Sequence, residues 1–160
     1  MKPHAVYAYG VVSSSTLYSI HGTFPSAEGY AEVDDFRHMT GGEATNSSIV
    51  LSRLGVPVKL DGNWLGADEN GVRTKSLLSG YQIDTSRLRL REGYISTQEV
   101  VFAAAGTRTI FGTYGRLLEN ADWNLPQEGD ITQARVVCLD PFFAHPAALA
   151  AETAFKHGIP

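Results

Sequence analysis

"MTGGEATNSSIVLSRLG", residues 39–55, places two adjacent glycines, an acid, an asparagine and two serines ahead of a run that ends in aliphatics. Gly41 and Gly42 allow the backbone to come close to a bound molecule. From Glu43 the pattern is helical: Val50 and Leu54 lie four apart, Leu51 and Leu54 three apart, and Gly55 followed by Pro57 ends the element, with Gly55 the C-cap candidate. The free N–H groups of its first turn, Glu43 to Ser48, favour hydroxyl oxygens or anions. Asn46 can both donate and accept, which suits a neutral polyhydroxylated ligand better than a phosphate.

The flanking sequence alternates between strand and helix periods. On the N-terminal side, "HAVYAYGVV" (4–12) predicts a buried strand running into a loop at Gly10. Two short period-two segments, Thr16 to His21 and Tyr30 to His38, predict small strands joined by a turn. On the C-terminal side, "VPVKLDGNWLG" predicts a strand, and Asp68 is placed to cap a helix that stops at Gly80. "STQEVVFAAAGTRTIFG" (96–112) predicts a hairpin turning at Ala105 to Thr107, "ARVVCLD" another buried strand, and Pro146 to His157 a helix with Gly158 beyond it. Strand–helix alternation implies a parallel sheet covered by helices, and the two period-two groups imply a separate small antiparallel sheet. In such folds ligands bind beyond the carboxyl ends of the parallel strands.

A chain of 160 residues with 43% hydrophobic content can bury the core of one ordinary domain. Its net charge of -4 includes no basic stripe, which argues against a nucleic-acid partner. No run approaches the ~20 apolar residues of a membrane span. The single cysteine, Cys138, and a start without an export-signal pattern place the expected location in the cytoplasm, with Cys138 a core thiol. The five histidines show no metal-ligand spacing, and Asp34 and Asp35 would point to opposite faces of a strand, so no metal site or acid–base pair is expected.

"GGEATNSSIVLSRLG" resembles the first signature of the PfkB carbohydrate kinases, the ribokinase-like family. Gly62, Gly66, Asp68, Gly71, Leu78, Gly80 and Asp84 resemble the family's downstream run of glycines and acids, and "GTRTIFG" (106–112) resembles its lid hairpin. The resemblance implies a three-layer α/β/α fold with a mostly parallel central sheet and a small β-sheet lid, the lid segments at about 14–40 and 94–114 of a single kinase-domain portion spanning 1–160. It implies ATP-dependent phosphorylation of a hydroxyl of a sugar or sugar-like alcohol, with a homodimer through the lid as an open expectation. Gly41, Gly42 and Asn46 match substrate-contacting positions, Asp140 falls beside the sugar, Arg108 matches the lid arginine, and Ser13 and Ser15 complete the expected substrate set. Structural alternatives stay open: a tight turn for the glycines, a helix-start role for Asn46, a cap for Asp140 and a solvated charge for Arg108.

The sequence departs from the family pattern in three places. Ser15 stands where members usually carry an aspartate that accepts from sugar hydroxyls, which points to a substrate with fewer hydroxyls, or more negative charge, at that edge. The gap between Gly55 and Gly66 is one residue longer, which predicts a bulge or a longer turn in "GNWLG" and turns Trp64 toward the site. The catalytic half, with its aspartate, its Mg2+ motif and most of the ATP site, is expected past Pro160, so these residues alone are expected to be inactive. Two alternatives accompany the sugar kinase: a non-catalytic ligand-binding or regulatory module, and a nucleoside kinase walled by Tyr18, Phe24 or Trp64.

Overall fold

The computed structural model describes residues 4–118, 123–140 and 144–160. In chain order the first half holds β1 (Val6–Gly10), β2 (Ser13–Ile20), β3 (Val33–Gly41), α1 (Glu43–Arg53), β4 (Val58–Gly62), β5 (Leu65–Gly66) and α2 (Glu69–Gly80). The second half holds β6 (Leu90–Arg91), β7 (Gln98–Ala104), β8 (Thr107–Gly112), α3 (Gly115–Leu118), α4 (Glu128–Ile131), β9 (Val136–Leu139) and α5 (Ala144–Lys156).

β1 is buried along its whole length because it lies between two parallel partners, β4 and β9, with Val6 opposite both Val58 and Val136. Alternation along that strand separates two cores. Tyr7, Tyr9 and Val11 pack with Ala147, Ala150 and Ala154 of α5 and Ile131 of α4, whereas Val6, Ala8 and Val12 pack with Ala44 of α1 and Leu78 of α2. Helices on both faces of a parallel sheet give the expected three layers, and explain why β1 reads as a continuous apolar run.

A second, four-stranded sheet runs in the order β3-β2-β7-β8, with β2 antiparallel to β3, parallel to β7, and β7 antiparallel to β8. Its strands begin or end up to three residues from the expected limits, since β2 starts at Ser13 and β3 runs from Val33 to Gly41. The hairpin turns at Ala105, which has φ 45, and Gly106, with φ 75.

Four expectations are corrected. The small sheet is mixed rather than antiparallel, because its two antiparallel pairs join through the parallel partners β2 and β7. The segment 56–66 is two strands, because Asn63 leaves β4 to bridge Trp123 and β5 then pairs with β6. The buried face of α1 is formed by Ala44, Thr45 and Ser48, while Val50 is 58% and Leu54 73% exposed. Small side chains fill the closest contact with β1, and the larger Ile49 and Leu51 pack half-buried at its margin. Cys138 is half-buried at the margin of the core rather than within it.

Candidate functional site

The site is built where β1 ends. The Val11 N–H donates to Asp140 Oδ2 at 3.2 Å, and the Val12 N–H donates to Asn63 Oδ1 at 2.7 Å. Asn63 Nδ2 donates back to the Val12 carbonyl at 3.0 Å, so the fully buried amide continues the sheet pairing past the end of β4. Thr45 Oγ1 donates to the Val11 carbonyl at 2.9 Å and draws the start of α1 onto this turn. Gly42 completes the contact: it has φ +106, and a Cβ there would overlap the Val11 carbonyl oxygen. Among the described residues no side chain caps α1, which leaves its first-turn N–H groups without a side-chain acceptor there.

Between that helix start and the inner face of the four-stranded sheet lies a cavity of about 470 Å³. Its apolar wall comes from Leu17, Met39, Val101, Ala103 and Ile110, which register pairing puts on one face. Its polar wall comes from Ser15, Glu43, Asn46, Glu99, Arg108 and Tyr114. The exposed Asn46 side chain makes no hydrogen bond among the described residues, nor does that of Arg108. Tyr114 Oη donates a short hydrogen bond to Glu99 Oε2 and lies 3.5 Å from Ser13 Oγ. Burial, and then the hydrogen bond to Glu99, push the Tyr114 phenol well above its ordinary value, so it stays a donor.

Five of the expected residues, Ser15, Gly41, Gly42, Asn46 and Arg108, thus come together on the cavity. Ser13 stands behind Tyr114. Asp140 is not among the lining residues; it is 4% exposed and its carboxylate accepts from the Val11 N–H. Trp64 is also elsewhere, beneath the Arg91 guanidinium at 4.0 Å with Nε1 donating to Asn124. Tyr18 and Phe24 lie with Phe102 on the opposite face of the sheet, so none of the three aromatic residues expected to wall a nucleoside base does so.

Sequence reasoning missed Glu99, Tyr114 and Asn63. For Glu99 a signal existed: it is the one acid in "STQEVVFAAAG", two and four residues before Val101 and Ala103, and therefore on their face of the strand. Among the described residues no group of three or more His, Cys, Asp or Glu side chains is placed to hold a metal ion.

Residues 11–158 match the pfkB family carbohydrate kinases. The chain belongs to this family. A PfkB fold also accounts for the similarity to a protein assigned as a ribokinase from Agrobacterium tumefaciens, at 25% identity and a TM-score of 0.86 over 97% of this chain and 50% of that one. The ribokinase of Arabidopsis thaliana, solved with ribose and ATP, shares the fold at 18% identity and a TM-score of 0.76, over 100% of this chain and 52% of that one. The nucleoside kinase of Methanocaldococcus jannaschii shares it at 19% identity and 0.68, over 93% of this chain and 48% of that one. The PfkB chain described here therefore spans about half the length of the solved structures it matches. A search of curated protein sequences gave no match.

Proposed function

We propose that the protein carrying this chain transfers phosphate from ATP to a hydroxyl of a sugar or sugar-like alcohol, and that these residues supply most of the substrate site. The observation that supports this is the Asn46 amide, without an intramolecular partner among the described residues, at the uncapped start of α1 beside Gly41 and Gly42. A volume of about 470 Å³ suits one small molecule, within the ~300–1,000 Å³ usual for such sites. The distance of Tyr18, Phe24 and Trp64 from the cavity favours a sugar over a nucleoside.

In this proposal the four-stranded sheet is the lid. It excludes water, so that the phosphoryl group goes to the substrate rather than to solvent. Ser15 and Asn46 orient the hydroxyls, while Asp140 positions the β1 turn through Val11. We assign the base, the Mg2+ ligands and the phosphate-binding groups to the rest of the protein, since the chain spans about half the length of the solved structures it matches. A cytoplasmic location, where ATP is supplied, belongs to the same proposal; among the described residues no helix is long and apolar enough to cross a membrane. So does a lid-to-lid homodimer, for which the outer sheet face offers Tyr18 stacked on Phe36 and Phe102, with Phe36 57% and Phe111 56% exposed.

Replacing Asn46 by Ala in the whole protein tests the reading. Losing a hydrogen bond to a buried polar ligand costs ~1–3 kcal/mol, so the KM for the sugar should rise about 5- to 150-fold while the KM for ATP stays unchanged. Steady-state kinetics with both substrates varied would check this. Unchanged KM and kcat for the sugar would return Asn46 to a structural role.

A further inference from the structure

We infer that Glu99 supplies the substrate-binding carboxylate of this protein and selects a neutral polyhydroxylated substrate, in place of the carboxylate absent at Ser15. The inference rests on the sugar-kinase reading of the cavity and deepens it. Ser15 and Glu99 are direct partners in the parallel pairing of β2 with β7, so their side chains leave the sheet side by side toward the cavity. The Glu99 carboxylate extends over Gly41, where a Cβ would overlap Oε1 and lie 2.6 Å from Ser13 Oγ. Gly41 is therefore the residue that admits this carboxylate into the site. Tyr114 holds one of its oxygens, Oε2, by donating to it, and this leaves Oε1 directed at the Gly41–Asn46 end of the cavity.

An ionised carboxylate only accepts hydrogen bonds, so a fixed one selects vicinal hydroxyl groups and repels carboxylated or phosphorylated sugars at the same edge. Ser15 considered alone points to a substrate with fewer hydroxyls, or more negative charge, at that edge. The acid opposite it reverses that expectation. Among the described residues no ion pair joins Arg108 to Glu99, and Arg108 pairs with Ala103, four residues farther along β7 at the hairpin end.

The test compares wild type, Glu99→Gln and the double variant Glu99→Gln/Ser15→Asp in the whole protein. Each is assayed for ATP-dependent phosphorylation of a panel of neutral sugars and polyols and their aldonic and uronic acids. Calorimetric Kd values for the same compounds are measured in parallel. Glutamine retains the oxygen that accepts from Tyr114, so Tm should hold. The wild type should prefer a neutral compound. Glu99→Gln should raise its KM and Kd at least about tenfold with the KM for ATP unchanged, and Ser15→Asp should recover part of that loss. An unchanged sugar KM and Kd in Glu99→Gln, or a wild type that prefers the acids, would overturn the inference. Wild-type binding of neutral compounds without phosphate transfer would overturn the kinase reading alone, leaving Glu99 to be judged by Kd. Neither binding nor turnover of any neutral compound overturns both.

Discussion

At position 42 a single methyl group would separate α1 from the end of β1. Gly42 has φ +106 and no room for a Cβ against the Val11 carbonyl, whereas Gly55, with φ +78 beyond the other end of the helix, has nothing within 4 Å of that position. Gly55→Ala should cost only the backbone term, about 1–2 kcal/mol. Gly42→Ala adds a clash to it and should destabilise by more than about 2 kcal/mol, seen as a larger fall in the urea midpoint at unchanged slope. Equal shifts for the two variants would show that the helix start relaxes freely. The glycines at 41–42 were legible in the sequence as sites of close approach, but what approaches them was not. Gly42 meets a backbone carbonyl and Gly41 a carboxylate from another strand, and neither neighbour is local in the chain.

Among the elements, α2 shows how far a local signal can reach. Asp68 caps it as its position predicts, with Oδ1 accepting from the Gly71 N–H at 2.7 Å. The same carboxylate also accepts from the Ser96 N–H at 2.8 Å and from Ser96 Oγ at 2.7 Å, which fastens the entrance to β7, and with it Glu99, to the helix. Burial alone would raise the Asp68 pKa, but the hydrogen bonds from Ser96 and Gly71 outweigh it and hold the carboxyl below its ordinary value. A depressed folded-state pKa contributes stability that is present above the unfolded value of about 3.9 and is lost as pH falls through the folded one. Asp68→Asn should therefore lower Tm at pH 7, by about 1–2 kcal/mol of stability, and its gap from wild type should close as the pH approaches 3. Thermal melts across that range would check it; a constant gap would mean that the carboxylate charge contributes nothing.

For the whole molecule the decisive polar feature is one that no sequence period announces. Lys59, with a side chain 5% exposed, lies 2.8 Å from Asp130 and 3.3 Å from Asp84, while Arg87 bridges Asp130 at 3.4 Å and Asp61 at 3.2 Å. Tyr7 Oη also donates to Asp61 at 2.8 Å. This network joins β4, α4 and the chain after α2 beneath the sheet. Lys59→Met removes the cation shared by Asp130 and Asp84, but Arg87 still bridges Asp130 and the Asp84 side chain is 34% exposed, so the loss should be about 2–3 kcal/mol, below the full cost of an unpaired buried charge. Adding Asp130→Leu should recover part of it, measured by chemical denaturation. A loss under about 1 kcal/mol in the single variant would show that water reaches these carboxylates.

The sequence by itself determined the alternation of strands and helices, the parallel arrangement of the main sheet and the Asp68 cap. These depend on periods, caps and turns that act within a few residues of chain. Only the tertiary structure decided which face of α1 is buried, that Trp64, Tyr18 and Phe24 stand away from the cavity, and that Asp140 serves the β1 turn. It alone brought Glu99 beside Ser15. Strand register is set by hydrogen bonds and side-chain packing between distant segments, and a one-residue slip would have turned that carboxylate to the opposite face of the sheet.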